Sequence, residues 1–100
     1  MANMEERERA YENKFARDEE LRFKAKARRN KYLGHWAAEK IDRDKTEYAN
    51  EVIKADFEEG GDEDVFRKLR GDLPDSVSDD EIRRQMSELM VKAAEELSAE

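Results

Sequence analysis

The sequence predicts an all-α protein, a four-helix bundle with a flexible N-terminal arm extending the first helix. Three observations lead there. Strong helix formers (Ala, Glu, Lys, Arg, Leu, Met) dominate, and Pro occurs once. No stretch alternates apolar and polar residues with β-branched enrichment, so no strand is expected. Apolar residues recur at helical spacing in four segments divided by turn signals.

The first segment runs from about Met4 to Lys40. At about 100° per residue, Ala25, Tyr32, Leu33, Trp36 and Ala37 share one stripe. Tyr11 and Phe15 fall in phase with it, but Asp18 and Arg22 interrupt the apolar face. Residues 1–18 therefore carry only Tyr11 and Phe15 as bulky anchors among many charges. Isolated helices of that length are marginal in water. This arm is expected to be frayed alone and helical only against a partner, with residues 19–100 forming the bundle. Phe23 lies off the stripe.

The second segment, about Lys45 to Phe57, presents Tyr48, Ala49, Val52, Ile53 and Phe57 on one face. Gly60-Gly61 suits a left-handed cap and a tight turn. The third, about Glu63 to Leu73, takes Asp62 as N-cap and Val65, Phe66, Leu69 and Leu73 as its stripe; Pro74 stops it. The fourth, about Asp79 to Leu97, opens on a capping box of Ser78 and Glu81. Its face is Ile82, Met86, Leu89, Met90, Ala93 and Leu97. Amphipathic helices joined by short turns bury one another. The predicted core is Trp36, Tyr48, Phe57, Phe66, Leu69, Ile82, Met86 and Leu89.

Composition limits what such a chain does. One hundred residues make one domain, and an enzyme-sized pocket is not expected. Charged residues are 47% of the chain and the net charge is −7, with seventeen Leu, Val, Ile and Phe in all. That balance approaches the composition of disordered chains. The absence of Cys excludes disulfides, thiol nucleophiles and Cys-based zinc sites. No apolar run is long enough to span a membrane. The N-terminus lacks the pattern of a signal peptide. A cytoplasmic protein without membrane insertion is the expectation.

Charge divides along the chain. Residues 1–43 hold 12 basic and 9 acidic side chains, and residues 44–100 hold 8 and 18. Arg22, Lys24, Lys26, Arg28, Arg29 and Lys31 follow one another with no acid between them. Either the acidic half covers this run within the fold, or the run is a solvated face or a site for an anion or an acidic protein surface. Nucleic acid is a poor partner, because the chain is acidic overall and no aromatic platform interleaves the bases.

Reaction chemistry is sparse. His35 is the only His, so no His-based metal cluster is expected. The acids around Asp62 and Asp79 lack calcium-loop spacing and suit helix N-termini. No serine sits in a glycine-flanked elbow, and Gly60-Gly61 is followed by acids where a phosphate loop needs a lysine. The protein is not expected to be an enzyme.

Several blocks then carry a resemblance. Tyr11-Glu12-Asn13-Lys14-Phe15-Ala16-Arg17-Asp18-Glu19-Glu20-Leu21-Arg22-Phe23-Lys24-Ala25 continues into Ala27-Arg28-Arg29-Asn30-Lys31, Leu33-Gly34 and Trp36-Ala37-Ala38-Glu39-Lys40. Lys54-Ala55-Asp56-Phe57-Glu58-Glu59, Asp62-Glu63-Asp64-Val65-Phe66-Arg67-Lys68 and Ile82-Arg83-Arg84-Gln85-Met86 complete the set. The chain closely resembles the zeta inhibitor subunit of the alphaproteobacterial F-type ATP synthase over nearly its whole length. It departs from that pattern in a short connection around Ile41–Lys45 and in Tyr32 and His35, where aliphatic residues are usual.

The resemblance implies a four-helix protein whose arm folds into the catalytic interface between an alpha and a beta subunit, beside the rotating gamma stalk. There it blocks rotation in the hydrolysis direction. It also implies a monomer when free, peripheral at the inner membrane through the enzyme, with weak ATP or ADP binding and no required cofactor. On the arm, Tyr11 and Phe15 lie four residues apart and would anchor it. Arg7, Arg9, Lys14 and Arg17 would pair with the interface carboxylates, and Glu8, Glu12 and Asp18 with its basic groups. Arg28, Arg29 and Lys31 are the candidate phosphate-binding residues. Two other readings stand beside this one: a nucleotide-binding sensor, and an adaptor for another acidic partner.

Overall fold

The computed structural model describes residues 19–59 and 61–99. The described residues form four helices: α1 (Glu19–Ile41), α2 (Lys45–Glu59), α3 (Asp62–Asp72) and α4 (Asp79–Ala99). Each packs on two others: α1 on α2 and α4, α3 on α2 and α4. The helices thus close a ring around one core, as the sequence predicts. The arm expected at residues 1–18 lies outside the described residues.

The core follows the stripes with one exchange. Leu33, Ala37, Tyr48, Val52, Val65, Leu69 and Ile82 are fully enclosed, with Phe66, Leu73, Val77 and Met86 completing the cluster. Trp36 and Leu89 pack at its edge, half-buried. Phe57, expected in the core, is instead 76% exposed. The inward line of α2 runs through Tyr48, Ala49, Val52 and Asp56. At about 100° per residue, Phe57 is turned well away from that line. Asp56 holds the inward position because polar partners from α1 receive it.

Turn chemistry sets the boundaries. Asp42 has φ 55°, and the Arg43 N–H donates to the Ala38 carbonyl at 3.0 Å. This is a Schellman ending built on a left-handed aspartate rather than a glycine. Asp44 then caps α2, its carboxylate accepting the Glu47 N–H at 2.8 Å. Ser78 caps α4 as expected, accepting the Glu81 N–H at 3.1 Å. The predicted cap of α3 is corrected. Gly61 is the N-cap, in extended conformation, and Asp62 is the first helical residue. Asp62 thereby has its carboxylate free of capping duty.

Gly34 brings α1 against α2. A Cβ at this position would stand 2.5 Å from the Ala49 Cα. The two backbones touch there with no side chain between them.

Candidate functional site

On α1, the residues at positions 25, 29, 33 and 37 follow one another by about one turn and face inward. Position 29 is an arginine, 1% exposed. Its Nε donates to Asn30 Oδ1 at 2.8 Å and its Nη2 to Asp62 Oδ1 at 2.8 Å. Asn30, also 1% exposed, donates from Nδ2 to Asp56 Oδ2 at 2.9 Å. A chain of polar groups therefore ties α1 to α2 through Asp56 and to α3 through Asp62. Burial alone would push the Asp62 carboxyl up. The charge and hydrogen bond of Arg29 outweigh it, so the group titrates below the usual carboxylate range.

The acidic second half does cover part of the basic run. Lys26 lies 4.0 Å from Asp56, Arg28 lies 3.5 Å from Glu96, and Arg29 holds Asp62. Lys24 pairs with Glu20 one turn back on its own helix. Tyr32 donates its hydroxyl to Glu96 at 2.6 Å, with the Lys92 ammonium over its ring. Of the three candidate phosphate-binding residues, Arg28 and Lys31 line one surface recess with Lys24 and Tyr32. Arg29 is committed inside the fold and does not join them. The exposed charge of Lys31 and the burial of Arg29 follow from helical phase, which a reading by charge alone overlooks.

A second recess adjoins the first and shares Phe23, Ala27 and Ile53 with it. Its further lining is Lys26, Asn30, Asp56 and Phe57, and its volume is about 250 Å³. Phe23, which lies off the α1 stripe, is 61% exposed at its mouth. Asp56 is 9% exposed, and its Oδ1 has no hydrogen-bond partner. In the sequence the one signal for this recess is Phe23, off the α1 stripe; the inward place of Asp56 shows only in the fold.

Toward the other end of α2, Tyr48 is buried and donates to Asp72 Oδ2 at 2.8 Å. Lys68 bridges Asp72 and Glu51, each at 3.0 Å, and Arg43 also holds Glu51. Burial and then the Asp72 carboxylate push the Tyr48 phenol far above its ordinary value. These groups fasten α2 to α3 and face no recess described here. His35 is half-buried on α1. Among the described residues, no group of three or more His, Asp or Glu side chains is placed to hold a metal ion. No helix among them is long and apolar enough to cross a membrane.

The arm residues Arg7, Glu8, Arg9, Tyr11, Glu12, Lys14, Phe15, Arg17 and Asp18 lie outside the described residues. The family comparison nevertheless takes them in. No individual curated protein matches the chain. A family model does, the one for ATPase inhibitor subunit zeta, and it spans residues 1–96. With four helices closed around one core, and with that model matching nearly every residue, the chain belongs to the ATPase inhibitor subunit zeta family.

Proposed function

We propose that this inhibitor subunit acts by inserting residues 1–18 between an alpha and a beta subunit of an F-type ATP synthase, beside gamma. There the segment blocks rotation in the hydrolysis direction. The family match carries the reading, because it begins at residue 1 and so includes the leading segment as well as the bundle. Tyr11 and Phe15 enter as apolar anchors; Arg7, Arg9, Lys14 and Arg17 meet carboxylates, and Glu8, Glu12 and Asp18 meet basic groups. Helix formation on contact costs ordering entropy, which the anchors offset. The bundle, about 35 × 29 × 23 Å, remains outside the cleft as a stop. In this reading the protein is not an enzyme, is a monomer when free, and sits at the inner membrane only through its partner.

Steady-state ATP hydrolysis by an F-type catalytic sector tests the mechanism. The full chain should inhibit, and a chain lacking residues 1–18 should not. Full inhibition by the shortened chain ends the proposal.

A second activity is supported by one observation. Lys24, Arg28 and Lys31 line one recess, which Tyr32 also borders. Cations beside an aromatic face suit the phosphates and base of ATP or ADP. Titration with ATP should shift the amides of Arg28 and Lys31. No shift there removes this second reading.

A further inference from the structure

The apolar core holds only the second half of α1. The cluster takes Leu33, Ala37 and Ala38 from this helix, with Trp36 and Ile41 packed against it, and nothing before Leu33. Ahead of Leu33 the buried residues are Ala25, Arg29 and Asn30. The seams beside this first half are open. One recess separates it from α2, and the other reaches Leu97 on α4. A helix segment with one small buried apolar side chain and open seams has little hydrophobic hold.

A collar of polar ties holds it instead, to three carboxylates on three helices. On α2, Asp56 accepts from Asn30 at 2.9 Å and lies 4.0 Å from the Lys26 ammonium. On α3, Asp62 accepts from Arg29 at 2.8 Å. On α4, Glu96 accepts from the Tyr32 hydroxyl at 2.6 Å and pairs with Arg28 at 3.5 Å. In each tie α1 supplies the donor and the partner is an acid. A single exposed ion pair is weak, but a set with buried members acts together. Anchors on three helices restrain tilt in more than one direction and fix rotation about the helix axis.

We propose that Asp56, Asp62 and Glu96 are positioning residues for inhibition: they aim the first half of α1, and so set where residues 1–18 leave the bundle. The inference rests on the inhibitor reading above and extends it to the bundle. From Leu33 back to Glu19 the helix is a lever of about 21 Å. A tilt of about 20° at Leu33 would swing Glu19 by about 7 Å, more than the pitch of one turn. A segment presented from a fixed lever loses less freedom on binding than one that must first be brought into place.

Two measurements decide it. In the first, backbone amide order parameters are measured on the full chain. Residues 22–27 should be as ordered as residues 33–38 in the unaltered protein. In Asp56→Ala/Glu96→Ala they should fall well below, with residues 33–38 unchanged. Low values in the unaltered chain, or no fall in the variant, overturn the collar. In the second, the same chains are titrated against ATP hydrolysis by the catalytic sector. The double variant should inhibit about tenfold more weakly. Val65→Ala, which weakens the core without touching the collar, should inhibit like the unaltered chain. An equal loss in Val65→Ala would assign the effect to stability and overturn the positioning role. Arg28→Glu should also weaken inhibition, and Arg28→Glu/Glu96→Arg should restore most of it, because the Tyr32 hydroxyl can accept as well as donate. Loss without recovery overturns Arg28 and Glu96 as a positioning pair. Full inhibition by Asp56→Ala/Glu96→Ala overturns the positioning role and leaves the arm mechanism intact. Failure of the unaltered chain to inhibit overturns both, while the order parameters still judge the collar.

Discussion

Gly34 and Ala49 bring the backbones of α1 and α2 into direct contact, with room for hydrogen but not for a methyl group. Substituting Gly34→Ala sets two effects against each other. Alanine favours a helix interior by about 1 kcal/mol over glycine. Overpacking costs about 1–3 kcal/mol, and here the obstructing atom is main chain that cannot swing aside. The variant should lose about 1–2 kcal/mol, visible as a Tm lower by several degrees. A Tm at or above that of the unaltered chain would mean the helices separate freely at this point.

Arg29 joins α1 to α3 directly and to α2 through Asn30. Arg29→Ala should cost about 2–4 kcal/mol in urea unfolding, since it strips partners from Asn30 and Asp62 and opens a void. Arg29→Lys should recover only part of this, because an ammonium lacks the fork that reaches both oxygens.

The same pair gives an acid dependence. Asp62 titrates below its ordinary range when folded, so its contribution is present above the unfolded value of about 4 and is lost as pH falls through the folded one. Thermal melts of the unaltered chain and Asp62→Asn should differ at pH 6. The difference should shrink steadily below about pH 4. A constant difference would show that the pairing charge contributes nothing.

Tyr48 behaves oppositely, at the alkaline end. Its phenol is held above its ordinary value by burial and then by Asp72, so its contribution is present below the unfolded value of about 10 and is lost as pH rises through the folded one. Ultraviolet titration should show Tyr48 ionising only as the protein unfolds. Tyr48→Phe should cost about 1 kcal/mol at neutral pH and remove this alkaline component.

The ends of α1 and α2 offer a gain and a loss. Asp42→Gly should stabilise by about 0.5–1 kcal/mol, because glycine adopts the left-handed backbone without strain. Asp44→Ala should destabilise by about 1 kcal/mol through loss of the Glu47 cap. Chemical denaturation of both variants checks the pair.

The helices were legible because each carries a stripe of the right period between clear stop signals. The segments starting at Lys45, around Asp62 and at Asp79 lie within two residues of their expected ends. What escaped were the positions where a polar residue occupies an apolar phase. Arg29 and Asp56 lie on the inward lines of their helices, yet charge argues for the surface until a partner from another helix is known. Phe57 was misplaced for the complementary reason: its hydrophobicity outweighed a phase that turns it outward. The Asp42 and Asp44 caps have no glycine to advertise them. Of the candidate phosphate-binding residues, Arg28 and Lys31 reach one recess and Arg29 does not. The recess under Phe23 and Phe57 depends on packing between two helices and has no contiguous motif.

Because α1 packs on both α2 and α4, it is the spine from which the leading residues emerge. Tension applied at Glu19 along that axis would load both flanking seams in shear, with many contacts resisting together. A terminal helix gripped on one side would peel away a turn at a time. The ring of helices is thus a mechanical anchor as much as a hydrophobic one, and pulling on the N-terminus should rupture it in one large event.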